Sequence, residues 1–127
     1  MPSSRRDKRA KTVRVFVYGT LKRGYQNNMH YLFGKSAMLG QHTTKPHYTL
    51  KDLGYYPAVE LCGTTAVKGE VYQIADDVLQ ELDWLEGYPV FYERKLIDTE
   101  YGPSWMYYLS PARMDNDWKE IESGEWT

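Results

Sequence analysis

Glu86 is the residue whose neighbours in sequence would most alter its chemistry. It closes the run Leu82-Asp83-Trp84-Leu85-Glu86 and is followed by Gly87-Tyr88-Pro89. A helical spacing of apolar residues leads up to it, so it stands at a helix C-terminus, where the macrodipole is negative. Asp83 lies three residues earlier on a neighbouring position of the same face. Leu85, Tyr88 and Pro89 are apolar or aromatic. A negative helix end, a negative neighbour and, where water is kept out, desolvation all disfavour the carboxylate and raise its pKa. A carboxyl group poised nearer neutrality suits general acid or base work. An acid at the end of a helix also breaks the usual charge rule, and such breaks cluster at functional positions. The same residues admit a plain alternative, a solvated glutamate before a helix-ending glycine.

A second stretch with chemical capacity is Tyr18-Gly19-Thr20-Leu21. It follows Val13-Arg14-Val15-Phe16-Val17, an apolar, β-branched run with strand character. Glycine permits close backbone approach or positive φ. Main-chain N–H groups leaving the sheet here would form a concave donor set for a carboxylate or a developing oxyanion. A bare strand and turn is the alternative. Other groups carry weaker signals. Tyr56, Tyr88 and Tyr92 are either pocket walls or core aromatics, and Arg94 is either a carboxylate ligand or half of a structural ion pair. Glu70, on a strand, is a reserve acid. Cys62 could act as a thiol nucleophile, but His30, His42 and His47 show no spacing that marks a partner for it, and the four residues match no zinc pattern. No nucleophile elbow, phosphate loop or dinucleotide fingerprint is present, and no cofactor or metal is expected.

The elements that must hold these residues are mostly short strands. Strands are expected over residues 13–17, 36–44, 48–53, 58–61, 67–74, 91–99 and 105–109, with turns at 54–57, 63–65 and 101–103. The strands 91–99 and 105–109 are expected to pair as a hairpin. Residues 118–121 form a last strand or a docked tail. Residues 29–33 read as one helical turn capped by Asn27 or Asn28 and ended by Gly34. Gly69 marks a bulge or close packing. The principal helix is residues 76–86: Val78, Leu79, Leu82 and Leu85 form its apolar stripe, Asp77 with Gln80 resembles a capping pair (Asp76 being the other candidate cap), and Gly87 is its C′ residue. Many strands and one good helix indicate an α+β fold with a strongly curved sheet.

The chain has 127 residues, enough for one domain with one core. Residues 1–12 read as a flexible basic tail, carrying Arg5, Arg6, Lys8, Arg9 and Lys11, and residues 13–127 as the single domain. The tail as an arm for anionic polymers is the functional alternative; with a net charge of -1 and no basic aromatic face downstream, no nucleic-acid partner is expected. The single cysteine excludes an intrachain disulfide. No apolar run suits a membrane helix or a signal peptide, so a cytoplasmic location without membrane partners is expected, with oligomeric state left open.

The stretch Phe16-Val17-Tyr18-Gly19-Thr20-Leu21-Lys22-Arg23-Gly24 resembles the opening of the γ-glutamyl cyclotransferase-like (AIG2-like) proteins. Residues Leu82 to Pro89, with Tyr92-Glu93-Arg94 just after, are similar to that family's segment with the catalytic glutamate, and the Glu-Gly-x-Pro form is closest to its γ-glutamylamine cyclotransferase branch. Glu122-Ser123-Gly124-Glu125-Trp126 resembles the tail of small bacterial relatives. The resemblance implies a small mixed-strand, barrel-like sheet packed by the main helix and short helical turns, with the loop and the glutamate near one mouth. It implies an enzyme that cyclises a γ-glutamyl compound, releasing 5-oxoproline and a free amine. Glu86 would be the catalytic acid/base, and Tyr18, Gly19, Thr20, Leu21 and Tyr92 would bind the small-molecule γ-glutamyl substrate. A non-catalytic binding module on the same fold is the other function to weigh.

Overall fold

A computed structural model describes residues 11–127. The basic positions Arg5, Arg6, Lys8 and Arg9 of the tail lie outside the described residues. Among the described residues eight strands and two helices follow in the order β1 (Thr12–Val17), α1 (Gln26–Tyr31), β2 (Ser36–Thr43), β3 (Tyr48–Asp52), β4 (Pro57–Thr65), β5 (Lys68–Ala75), α2 (Asp76–Glu86), β6 (Glu93–Ile97), β7 (Ser104–Tyr108) and β8 (Lys119–Glu120). The fold is α+β. Five strands form one sheet in the order β2-β5-β1-β7-β6, and three form another in the order β4-β3-β8. The large sheet is mixed: β1 runs antiparallel to β5 and parallel to β7.

β1 occupies the middle of the large sheet, which explains its apolar Val15-Phe16-Val17 end. Val15 and Val17 face a core that includes Tyr72, Ile74, Leu109 and the α2 residues Val78, Leu79 and Leu82. Phe16 and Tyr18 face the opposite way, onto Val71, Met106 and the small sheet's Leu50 and Val59. Period-two alternation thus serves two cores at once, as expected of a strand buried on both faces. Gly69 of β5 is required by close packing: a Cβ there would stand 2.2 Å from the Val17 carbonyl oxygen.

α2 has the expected bounds. Gly87 takes the left-handed conformation at φ 69°. Tyr88 N–H donates to the Asp83 carbonyl at 2.9 Å and Gly87 N–H to that of Trp84 at 3.2 Å, the paired bonds of a Schellman ending. The start differs from expectation. Ala75 is the N-cap, with no side-chain cap; Asp76 and Asp77 lie in the first turn, where their charge favours the helix dipole. α1 likewise starts earlier than the sequence indicates, and neither Asn27 nor Asn28 caps it. β4 runs on through residues 63–65, read as a turn, because β3 pairs with it as far as Tyr48 opposite Thr65. β6 and β7 form the expected antiparallel hairpin. Of the two alternatives for residues 118–121 the strand is found, two residues beside β3; beyond that segment Trp126 is docked, 8% exposed.

Candidate active site

The end of β1 opens onto a cavity of about 390 Å³. Tyr18, Gly19, Thr20 and Leu21 form one wall, and Glu86 and Tyr92 stand across from them. All six residues singled out for the site therefore line one hollow. Tyr55 and Tyr56, 90% and 38% exposed, lie towards solvent.

The turn is fixed from several sides. Lys22 N–H donates to the Gly19 carbonyl at 3.0 Å and closes it. Asn27 donates from Nδ2 to Thr20 Oγ1 at 2.8 Å, and Asn28 from Nδ2 to the Leu21 carbonyl at 2.8 Å. The two asparagines thus hold the turn in place instead of capping α1. Lys22, buried despite its charge, reaches the Trp126 carbonyl at 2.7 Å, so the docked tail supports the turn's far end. Gly19 is needed for closeness, not for positive φ: a Cβ would come within 2.6 Å of Pro57 Cδ. The N–H groups of Gly19, Thr20 and Leu21 donate to no described residue, and all three residues line the cavity.

The tyrosine rings shape the wall while their hydroxyls are engaged elsewhere. Tyr18 donates to the Tyr107 carbonyl at 2.8 Å and accepts from Val59 N–H at 3.2 Å. Tyr92 donates to the Pro57 carbonyl at 2.7 Å. Burial, first, and then neighbouring charges and phenols push the titration of both far above the usual tyrosine range, so both are neutral phenols. Tyr92 therefore contributes a ring, not a free hydroxyl.

Glu86 is the one acid among the described residues that line the cavity. It forms no hydrogen bond to a described residue, and it opens onto the cavity. Burial, and secondly the negative charge of Asp83, raise its pKa to about 7. Both causes are among those expected from the sequence. Asp83 itself is paired with Arg94, so Arg94 is the structural half of the two roles weighed for it. Glu70, the reserve acid, faces a separate hollow, where Arg23 N–H and the Tyr72 hydroxyl donate to its Oε1 at 2.8 and 3.0 Å. Cys62 is exposed, and no group of three or more possible metal ligands occurs among the described residues.

A half-shielded acid facing unengaged amides can exchange protons with a bound molecule while the amides hold an oxygen anion. Sequence reasoning missed Tyr107, which lines the cavity, and the anchoring role of Asn27 and Asn28. A pair of asparagines after a polar loop is a visible signal, but capping was the simpler use for it. Tyr107 sits in the aromatic run Trp105-Met106-Tyr107-Tyr108, where nothing distinguishes one ring from the next.

Comparison with known proteins is consistent across sequence and fold. Residues 15–127 match the family described as gamma-glutamyl cyclotransferase, AIG2-like. A putative gamma-glutamylcyclotransferase of Vibrio cholerae is 44% identical over 113 residues, covering 88% of this chain and 93% of the relative. The gamma-glutamylcyclotransferase family protein YtfP of Escherichia coli K12 is 42% identical over 115 residues, covering 90% and 96%. The solution structure of E. coli ytfP superposes with a TM-score of 0.75 at 38% identity, covering 90% and 96%. A crystal structure of an AIG2-like protein from Mus musculus has the same fold, with a TM-score of 0.75 at 23% identity over 91% of this chain and 88% of that one.

Proposed function

The chain belongs to the AIG2-like γ-glutamyl cyclotransferase family, and from that premise we propose that it cyclises γ-glutamylamines to 5-oxoproline and a free amine. One observation carries the reading: a carboxyl group without a hydrogen-bond partner and a turn of unengaged amides line the same cavity.

The substrate brings its own nucleophile. Its α-ammonium gives a proton to the Glu86 carboxylate, and the freed amine attacks the γ-carbonyl carbon. The new C–N bond closes a five-membered ring and leaves an oxyanion. As the oxyanion collapses, the amide C–N bond breaks. In all, two protons leave the α-nitrogen and two reach the departing nitrogen, with Glu86 as the relay. A group titrating near 7 both accepts and returns protons readily. The amides of Gly19, Thr20 and Leu21 hold the substrate's α-carboxylate or the oxyanion. No lysine or arginine lines the cavity among the described residues, so these amides are its candidate anion donors. The ring walls of Tyr18, Tyr92 and Tyr107 fold the glutamyl part so that amine and carbonyl meet, an orientation effect worth several kcal/mol. The aromatic outer wall, with no cation, favours a leaving amine that bears no carboxylate.

The test is 5-oxoproline release from a panel in which the γ-glutamyl group is constant and the leaving amine is neutral, cationic or acidic. Turnover greatest with non-acidic amines supports the reading. Calorimetric binding of the same compounds without turnover would replace it with the binding-module reading.

A further inference from the structure

The residues behind Glu86 form a connected set. Asp83, one turn earlier on α2, accepts from Arg94 Nε at 2.9 Å and from a second guanidinium nitrogen at 3.1 Å. It also accepts from the Tyr107 hydroxyl at 2.6 Å. The Arg94 guanidinium carbon lies 4.4 Å from the centre of the Tyr88 ring and 4.2 Å from that of Trp105. Tyr107 reaches further. Its hydroxyl ties the helix that carries Glu86, while its carbonyl accepts from Tyr18, the first residue of the turn. One residue of β7 therefore connects both halves of the cavity.

We propose that Arg94 and Tyr107, acting through Asp83, are positioning residues that hold the last turn of α2 and set both the place of the Glu86 carboxyl group and the charge it faces. Its catalytic meaning rests on the cyclotransferase reading; its test does not. The groups around Glu86 come from several elements. Tyr18 follows β1, Tyr56 lies between β3 and β4, Tyr92 precedes β6 and Tyr107 is on β7. Tyr18, Tyr92 and Tyr107 are buried phenols whose titration is pushed well upward, first by burial, so they carry no charge near neutrality. Asp83 and Arg94 are the charges in the set. Asp83 disfavours the Glu86 carboxylate, and on this proposal the Arg94 guanidinium paired with Asp83 offsets that charge. Removing either partner should therefore move Glu86 in opposite directions.

The experiment is carbon-13 NMR of the full chain labelled at glutamate carboxyl carbons, with Glu86 assigned by the signal lost in Glu86→Gln. In Asp83→Asn the midpoint of Glu86 is expected to fall by about one pH unit, and in Arg94→Gln to rise by about one. Tyr107→Phe, which keeps the ring, should raise it less. Mere loosening of the helix end admits water and lowers all three midpoints towards that of an ordinary glutamate. A shift of Asp83→Asn in the same direction as Arg94→Gln, or no shift in Arg94→Gln, overturns the proposal. Should Asp83→Asn fail to fold by circular dichroism, the upward shift in the other two variants still decides, since water entry cannot produce it. Opposite shifts in a protein that releases no 5-oxoproline would keep the clamp and remove the cyclotransferase reading. Turnover without those shifts would do the reverse.

Discussion

Glu86 and Glu70 each stand in the wall of a hollow bordering the segment 18–25, and the hollows are of similar size, about 390 and 370 Å³. Their surroundings differ. Glu70 accepts two hydrogen bonds and shares its hollow with Lys22, Arg23 and Lys68. Glu86 has aromatic neighbours, an aspartate one turn away and no hydrogen bond to a described residue. Burial and the Asp83 charge hold a proton on Glu86 towards neutral pH, at a cost to stability. The lesson is that size and charge of a hollow do not identify a reactive site; the unmet demand of its polar groups does.

The comparison can be broken most directly by exchanging the roles. Glu86→Gln should lower 5-oxoproline release by roughly a hundredfold or more, the usual contribution of a positioned acid/base. Glu70→Gln, which retains an oxygen acceptor for both donors, should stay within about threefold of the parent. Comparable losses in the two variants, measured as kcat/KM, would erase the distinction.

Stability sharpens it with opposite signs. The folded pKa of Glu86 is raised to about 7, above its unfolded value. The folded protein therefore binds more protons than the unfolded chain between the two values, and this stabilisation is present at low pH and lost as pH rises through 7. Glu86→Gln should stabilise the fold at pH 8 by on the order of 2–3 kcal/mol and change it little near pH 4. Glu70→Gln should destabilise by about 1 kcal/mol at pH 8 through its weakened hydrogen bonds. Urea unfolding at the two pH values checks both; a Glu86→Gln gain that is the same at both would refute the titration argument.

Tyr18→Phe probes the strut between the two cores. It leaves Val59 N–H and the Tyr107 carbonyl without their shared partner, for an expected loss of about 1–3 kcal/mol in chemical unfolding. The smallest effect is expected at Cys62, which is exposed: Cys62→Ser should stay within about 0.5 kcal/mol of the parent and leave turnover unchanged. A large loss there would reopen its role as a nucleophile.

What the sequence carried, and what it did not, divides along physical lines. α2 was legible because its apolar stripe, Gly87 and Pro89 are local signals that tertiary packing did not override. β1 was legible from its β-branched run. The continuation of β4 through Gly63 was hidden because pairing with β3 holds a glycine that locally reads as a turn. The expected cap of α1 is absent because Asn27 and Asn28 serve the turn at Thr20 and Leu21 across space, which no local rule anticipates, and that of α2 because Asp76 and Asp77 lie one and two positions inside the helix. At the candidate site, Glu86 and the turn were visible as motifs. Their meeting in one cavity was implied by the family resemblance and by no local pattern, while the closeness of Gly19 to Pro57 and the double reach of Tyr107 depend on β4 and β7 and had no sequence signal.

The central position of β1 bears on how the molecule is made. Val15 must wait for Tyr72 on one side and for Trp105 on the other. Until both have left the ribosome, a strand that is apolar on both faces keeps at least one edge uncovered. Such long-range pairing slows folding relative to local architectures and leaves a period during which self-association competes. The earliest strand to be synthesised is thus among the last to be completed, and the cavity at its end comes into being only with it.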